Sequence, residues 1–320
     1  MHCLAGVAMM DMDEKRVLLA HLESFDNLLL LKEGAMDGAL KAKNWLAGKS
    51  ARLAVKMGKN DWQERIEDWD EHSDWNTRGI EEKIERRIAA VSTYAEFEVQ
   101  AYLKEDLAKL VRLDRGQSYE EIAAAYSKKL AEHYNIEGWQ GLEPEQLEKK
   151  LYAFCVEEQL RLIRERVDKL SKEQLGRLHE RLDKDLRVFG PFSQQALCEA
   201  AGLEELSADA VMAALENSSS VAMAKTLMAG NAYGMHLFLA IVVSSLAQVL
   251  EITFSFGVYT GSSGNLIYLL SSFLLLLVTM DGGGLPWWQT QARLNEYLIK
   301  AVFLAGKARI AIEESKELCD

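Results

Sequence analysis

Carboxylates and one imidazole are concentrated between residues 61 and 75, in the segment DWQERIEDWDEHSDW. The residues that form a local cluster in the sequence are Asp68, Asp70, Glu71, His72 and Asp74. Oxygen ligands of this kind bind divalent cations such as Ca²⁺. However, the spacing matches no Ca²⁺-binding loop, and the segment has no glycine to make the turn that such a loop needs. We therefore interpret the segment as a solvated acidic face of a helix, with a metal site as the alternative.

The sequence contains no recognisable motif for nucleophilic catalysis, metal binding or phosphate binding. The cysteines are far apart and include no CxxC pair: Cys3, Cys155, Cys198 and Cys319. No GxSxG, HExxH, Walker A or GxGxxG motif occurs in a fitting context, and no Lys-Ser/Thr pair follows the three glycines of DGGGLPWW. We expect no catalytic, cofactor-binding or metal site, and we expect reduced thiols in a cytosolic setting. An enzyme is the weakest of the functions considered.

Glu251 is the most unusual side chain in the sequence, because it is the single charged residue among the 55 residues 226–280. A carboxylate inside a bilayer costs roughly 2.5–3.5 kcal/mol and is by default a functional hypothesis. The alternative is a carboxylate in a bundle core, paired with an arginine. His236 lies in the same stretch, and histidine changes its charge between about pH 5 and 8. We interpret it as an interfacial or a hydrogen-bonded residue, with a pH sensor as the alternative.

The element that positions these residues is a predicted helical hairpin. Two apolar runs, Tyr233–Tyr259 and Asn265–Met280, flank the turn signal TGSSG at Thr260–Gly264. The side chains expected to enter a bilayer are Phe238, Leu239, Ile241, Val242, Leu250, Glu251, Phe254, Leu266, Leu270, Phe273 and Leu276. Aromatic residues at the ends of the arms resemble the interfacial belts of membrane proteins. These expected interface anchors are Tyr233, Tyr259, Trp287 and Trp288.

A helix that is apolar on all faces is buried either in lipid or in a protein core. The 29 uncharged residues 252–280 exceed the roughly 18 that indicate a membrane span, which favours insertion of the hairpin. The second arm is short: counted from Asn265 it reaches about 24 Å, against a hydrocarbon core of about 30 Å. The alternative is a soluble bundle whose core is the hairpin.

Helix starts are marked by local hydrogen-bonding signals in the charged remainder of the chain. Ser118 with Glu121, and Ser171 with Gln174, match the capping box, in which each side chain binds the other residue's backbone N–H. Pro144 is suited to the first turn of a helix. Another short helix is predicted to begin after Ser207.

Long helices are expected, because the chain has three prolines in 320 residues and proline interrupts helix interiors. Hydrophobic periodicity predicts helices over residues 13–31, 78–112, 145–170 and 289–314. We therefore expect an all-α fold, a multi-helix bundle with a central apolar hairpin. The break at Gly190 and Pro191 divides it into a charged, amphipathic region, residues 1–189, and a C-terminal region, residues 190–320.

The distribution of charge excludes some partners and suggests others. The net charge of −12 disfavours nonspecific nucleic-acid binding, which depends on neutralising phosphates. Residues 41–59 form a basic segment that either meets anionic lipids or, as we favour, pairs with acidic helices of the same chain. Cations around the hairpin predict that both termini are cytoplasmic: Lys225, Arg293, Lys300, Lys307 and Arg309.

Four features follow one another from about Leu147 onward: the helix pair EEQLRLIRERVDKLSKEQLGRL, the small-residue helix SADAVMAALE, the apolar hairpin and the C-terminal YLIKAVFLAGKARI. In this order they resemble the YaaW-like bacterial proteins. The resemblance covers about half of the chain and implies no functional residues, and the glycine-rich early segment of that group is missing. The hairpin is also similar in kind to the apolar hairpin buried in the soluble form of colicin-like pore-forming domains, a similarity of architecture.

These observations favour a membrane-associated helical protein that inserts its apolar hairpin into a bilayer, as an anchor or as a membrane-perturbing, pore-forming module. The expected partners are the lipid bilayer, further copies of the chain in a homo-oligomer, and a protein that binds the charged amphipathic helices. The alternative is a soluble all-α interaction or chaperone-like protein with the hairpin as its core.

Overall fold

The computed structural model describes residues 2–24, 86–114, 116–230, 232–250 and 287–317, with the backbone alone for residues 287–294 and 316–317. These residues form α-helices, one 3-10 turn and connecting segments, and no strand occurs among them. The prediction of an all-α multi-helix bundle is confirmed. The acidic segment 61–75, the basic segment 41–59 and the turn Thr260–Gly264 lie outside the described residues.

The described helices are numbered here in chain order. They are α1 (Cys3–Met9), α2 (12–24), α3 (86–91), α4 (Glu96–Leu110), α5 (Tyr119–His133), α6 (Pro144–Val167), α7 (Lys172–Leu186), α8 (Pro191–Ala201), α9 (Ala208–Asn217), α10 (Ser220–Ala229), α11 (Ala232–Val249) and α12 (Trp287–Glu317). The helices predicted over residues 145–170 and 289–314 correspond to α6 and α12, whose ends differ from the prediction by about one turn or less.

The predicted capping boxes begin α5 and α7. The Glu121 N–H donates to Ser118 Oγ at 3.2 Å, and the Ser118 N–H donates to Glu121 Oε2 at 2.7 Å. Ser171 and Gln174 make the same two bonds, at 3.2 and 2.9 Å. Each pair satisfies backbone donors that the first helical turn leaves without a partner.

The helix predicted over residues 78–112 is interrupted, and this part of the prediction is wrong. Residues 92–95 form a turn between α3 and α4. The hydroxyls of Ser92 and Thr93 donate to the carbonyls of Ala89 and Ala90, three residues earlier. Side-chain bonds of this kind compete with the helical backbone ladder. The Glu98 carboxylate then accepts from the N–H of residue 95 and begins a new helix.

Pro144 and Pro191 occupy the first turns of α6 and α8, where the missing N–H of proline costs no hydrogen bond. Gly190 precedes α8 as its N-cap, so the predicted break in the chain coincides with a boundary between two helices. Buried side chains from both sides of this boundary belong to one continuous cluster. The division into two regions stays a prediction.

The first and last described helices pack against each other through two glycines. A Cβ atom added to Gly6 of α1 would lie 1.8 Å from the Gly306 carbonyl oxygen of α12. A Cβ atom added to Gly306 would lie 2.0 Å from the Cys3 carbonyl oxygen. Because no side chain fits at either position, the two backbones approach directly, and α1 lies against α12.

Replacing Gly306 by alanine is expected to lower the free energy of unfolding by about 1–3 kcal/mol, the usual cost of overpacking a core. The matched control is Gly176→Ala, in the interior of α7, where an added Cβ meets no atom within 4 Å. That variant is expected to be more stable by about 0.8–1 kcal/mol, because alanine has the higher helix propensity. Urea unfolding of both variants measures the difference; equal effects would contradict the close packing of α1 on α12.

Candidate membrane-insertion helix and the polar contacts that hold it

Helix α11 contains the first part of the predicted hairpin arm Tyr233–Tyr259 and has the sequence AYGMHLFLAIVVSSLAQV. Within the described ranges it is the one helix whose length and composition would allow it to cross a membrane, and 78% of it is buried inside the protein. Buried core helices of soluble proteins have the same length and composition. The burial of α11 therefore does not by itself distinguish a membrane protein from a soluble one.

The residues predicted to enter a bilayer fall into two groups. Phe238, Leu239, Ile241 and Val242 are buried against other helices, whereas Leu250 is partly buried at the edge of the same core. The remaining predicted residues lie outside the described part of the chain: Glu251, Phe254, Leu266, Leu270, Phe273 and Leu276. Their role stays a prediction.

The predicted interface anchors are described only in part. Tyr233 is partly buried, and its ring stacks on Phe192 of α8 with 5.9 Å between ring centroids. Its hydroxyl lies 3.2 Å from Ser193 Oγ, so Tyr233 is bound to a neighbouring helix. Trp287 and Trp288 are the first residues of α12, described as backbone. Tyr259 lies outside the described residues.

Helix α11 lies among other helices of the bundle: α6, α7, α8, α10 and α12. The approach of α8 is the closest, because a Cβ atom added to Gly234 would lie 1.9 Å from the Ala196 carbonyl oxygen. Helix α7, KEQLGRLHERLDKDL, is highly charged. A helix of that composition is not compatible with hydrocarbon, so α11 in this arrangement is enclosed by protein.

His236 is a buried imidazole in the middle of this apolar surface. Its Nε2 lies 2.6 Å from the Tyr152 hydroxyl of α6, while its Nδ1 is buried without a hydrogen-bond partner among the described residues. Burial lowers the pKa of His236 to about 3, since a charged ring would lose its hydration. Burial likewise raises the pKa of Tyr152 well above 10. Both groups are therefore neutral at physiological pH.

A second polar contact ties α11 to α7. The Ser245 hydroxyl donates to Asp185 Oδ2 at 3.1 Å, and the Arg181 guanidinium donates to the same oxygen through Nε at 3.0 Å. Ser245 is fully buried, so this bond satisfies a hydroxyl that would otherwise be buried at a cost. The two buried polar side chains of α11, His236 and Ser245, thus have polar partners on α6 and α7.

Beside α11, helix α12 carries a buried ammonium group. Lys300 is 2% exposed, and its Nζ lies 2.8 Å from Glu158 Oε2 of α6 and 2.7 Å from Glu296 Oε1. The third partner is His133 Nε2 of α5, at 2.9 Å. Three hydrogen-bond partners match the three protons of an ammonium. Buried charges are tolerated when they are paired in this way.

The partners of Lys300 are themselves held by further bonds. His133 Nδ1 lies 3.0 Å from Glu296 Oε2, and the Tyr134 hydroxyl donates to Glu158 Oε2 at 2.5 Å. Burial of the Glu296 carboxyl opposes its ionisation, but the hydrogen bonds from His133 and Lys300 outweigh it and lower its pKa. The stabilisation from this lowered pKa is present at neutral pH and is lost as the pH falls below the ordinary carboxyl range.

Two further cations of α12 form ion pairs with carboxylates on helices that lie earlier in the chain. Lys307 forms an ion pair with Glu148 of α6, whose Oε1 accepts the Cys3 N–H of α1 at 3.2 Å. Arg309 lies 3.3 Å from Glu14 of α2 and 2.7 Å from Glu313. Carboxylates therefore offset the positive bias that the sequence predicts from these residues, and the predicted orientation of the chain in a membrane stays a prediction.

The two thiols buried in the described core, Cys3 and Cys155, are protonated at physiological pH. Burial raises the pKa of Cys155 to about 12 and raises that of Cys3 still further from its ordinary value. A protonated thiol is a poor nucleophile. Within residues 2–24, 86–114, 116–230, 232–250 and 287–317, no three His, Cys, Asp or Glu side chains are grouped to hold a metal ion.

Sequence reasoning missed the Lys300 network. The signal available was a lysine inside the apolar run YLIKAVFLAGKARI, four residues after Glu296 and seven before Lys307. That spacing places both lysines near the apolar face of the helix, where a cation needs a partner. The partners on α5 and α6 are distant in sequence and carry no local signal.

Comparison of the chain with protein-family models, with curated proteins and with solved structures gave no match. The resemblance to YaaW-like proteins and the architectural similarity to colicin-like domains therefore stay predictions.

Replacing Lys300 by methionine is expected to lower the free energy of unfolding by about 3–5 kcal/mol at neutral pH, because two half-buried carboxylates lose their shared cation. The control is Lys225→Met on α10, where the lysine is exposed and the change is expected to stay within about 0.5 kcal/mol. Chemical denaturation measures both. A Lys300→Met variant as stable as the control would show that the network does not hold α12 in place.

Proposed function

We propose that this chain is a membrane-associated helical protein, in which a charged helical bundle carries an uncharged segment that binds a lipid bilayer as an anchor. The observation that carries the proposal is that α11 and α12 pack in the same bundle, while the 29 residues 252–280 between them hold no charge. The described helices that precede and follow the uncharged run therefore belong to one bundle.

The length of the run limits how such a segment would enter a membrane. If it leaves the bundle and returns, each of its two passes has about 14 residues and a helical length of about 21 Å. A hydrocarbon core is about 30 Å thick. The run is too short for two full crossings and long enough to enter about one leaflet. This supports an anchor on one face of the membrane while α11 stays in the bundle.

The same arrangement supports the proposed location of the termini. Helix α1 packs on α12, so the described helices nearest both ends of the chain belong to one body. We place that body on the cytoplasmic side, with a homo-oligomer or a protein bound to the charged helices as further partners. Nucleic acid, a cofactor and a catalytic role form no part of the proposal.

A soluble interaction or chaperone-like protein is the second candidate, and it is supported by one observation. The two buried polar side chains of α11, His236 and Ser245, have hydrogen-bond partners on α6 and α7. Such bonds suit a helix that serves permanently as a protein core. If the chain has this function, residues 252–280 would be buried against protein and would bind no lipid.

Flotation with vesicles of neutral and anionic phospholipids distinguishes the two candidates. We expect the purified chain to float at pH 7.5 and Leu270→Lys, within the uncharged run, to lose most of this binding, because a buried lysine costs about 2.5–3.5 kcal/mol in a bilayer. The matched control is Val188→Lys, an apolar side chain that is 79% exposed on the bundle, which is expected to float like the unchanged chain. A chain that stays with the soluble fraction and remains monodisperse without detergent would favour the soluble candidate.

A further inference from the structure

We propose that His236 is an acid-operated lock, which keeps α11 packed in the bundle while its imidazole is neutral and releases α11 when that imidazole is protonated. This inference rests on the proposed membrane function and deepens it by naming a trigger. It would free the 18 residues of α11 to enter the bilayer with the uncharged run, from which Leu250 and Glu251 separate them, and so convert an anchor on one face into a deeper insertion.

The position of His236 favours this role. The residue lies at the interface between α11 and α6, it is 4% exposed, and its polar contact is the Tyr152 hydroxyl at 2.6 Å. Two residues earlier, Gly234 brings the α11 backbone against Ala196 of α8. Because protein encloses almost all of the His236 side chain, water does not hydrate the ring when it is charged, so a proton on His236 is accommodated by separating the helices.

The bonding of the ring shows why a second proton is costly. Neutral imidazole has one donor and one acceptor, whereas the protonated ring has two donors. Tyr152 can serve one nitrogen, but Nδ1 is buried without a partner among the described residues. The imidazolium would therefore place a charge and an unmatched N–H in an apolar interface, which is the most costly combination for a buried polar group.

Among the residues that the structure describes, the ionisable groups of the surrounding helices offer His236 no compensating charge. Helix α7 directs Asp185 and Arg181 to Ser245, nine residues beyond His236, and α12 engages Lys300 and Glu296 with His133 and Glu158. Glu199 of α8 and Lys225 of α10 are exposed. On α6, the Tyr152 hydroxyl and the Cys155 thiol are both neutral at physiological pH, because burial raises the pKa of each. Burial is accordingly what lowers the pKa of the imidazole.

The direction and size of the pH effect follow from the lowered pKa. Burial takes the pKa of His236 from 6.5 to about 3, so the packed state binds the proton more weakly than a released state does. The contribution of His236 to the packing of α11 is therefore fully present above about pH 6.5 and is lost as the pH falls toward 3. Between pH 7.5 and pH 5 the population of the released state is expected to rise ~30-fold from this one group.

The test is amide hydrogen exchange of the full chain in solution, read on peptides from residues 232–249 at pH 7.5 and pH 5. Wild type and His236→Gln are compared at each pH, so that the intrinsic effect of pH on exchange cancels. Acidification is expected to reduce the protection of α11 in wild type ~30-fold more than in His236→Gln. The variant His236→Phe fills the site with an apolar ring and is expected, like His236→Gln, to lack the acid response. It keeps the test available if glutamine impairs folding.

His21 supplies the matched control. It is also buried, on α2, where it contacts the Val17 carbonyl at 2.7 Å, and burial lowers its pKa to about 4. The variant His21→Gln is expected to retain the full acid response of α11. If His236→Gln and His236→Phe respond to acid as wild type does, or if His21→Gln abolishes the response of α11, the proposal is wrong.

Vesicle leakage tests whether the acid response of His236 also changes the effect of the protein on membranes. Wild type is expected to release an entrapped, pH-insensitive dye from anionic phospholipid vesicles faster at pH 5 than at pH 7.5, and His236→Gln is expected to lose most of that increase. Exchange that responds to His236 in a chain that never binds vesicles would support the lock and refute the membrane function. Flotation at pH 7.5 together with an exchange response independent of His236 would refute the lock alone.

Discussion

Burial of α11 is the constraint on which the rest of the structure depends. An 18-residue helix without a charged side chain has no face that tolerates water. The bundle meets this constraint by covering α11 with other helices, including the highly charged α7, and by bringing α8 into backbone contact at Gly234. The polar side chains His236 and Ser245 then need partners, and α6 and α7 supply them.

The C-terminal helix closes the bundle through paired charges. Lys300, Lys307 and Arg309 each meet carboxylates from elements much earlier in the chain. Buried ion pairs add little net stability compared with apolar packing, but removing one partner is costly because the other charge stays buried without compensation. They therefore specify where α12 lies, and the contact between Gly6 and Gly306 makes that position tight.

Local features of the fold were predictable from the sequence, and long-range ones were not. The capping boxes at Ser118 and Ser171 were predicted because each is formed within four residues. The turn at residues 92–95 was missed, because the hydroxyl bonds that interrupt the helix compete with a strong apolar periodicity. The bond of Lys300 to His133 spans 167 residues, and no local pattern encodes it.

The candidate site was predictable to a similar extent. The near absence of charged residues identified residues 226–280 as an apolar block, and Phe238 to Val242 follow as residues that must be buried. Whether lipid or protein buries them depends on neighbouring helices, which periodicity does not reveal. The hydrogen bond between His236 and Tyr152 is a further feature that periodicity does not reveal, since Tyr152 lies 84 residues away in the sequence.

The measurement that tests the membrane association most directly is fractionation of cells that express the full chain, followed by an alkaline carbonate wash of the membranes. Carbonate removes proteins held by charge and retains those held by apolar insertion. The account predicts that the chain stays in the washed membrane pellet and that Leu270→Lys moves to the supernatant. Complete release of the unchanged chain would contradict membrane association and leave α11 as the core of a soluble protein.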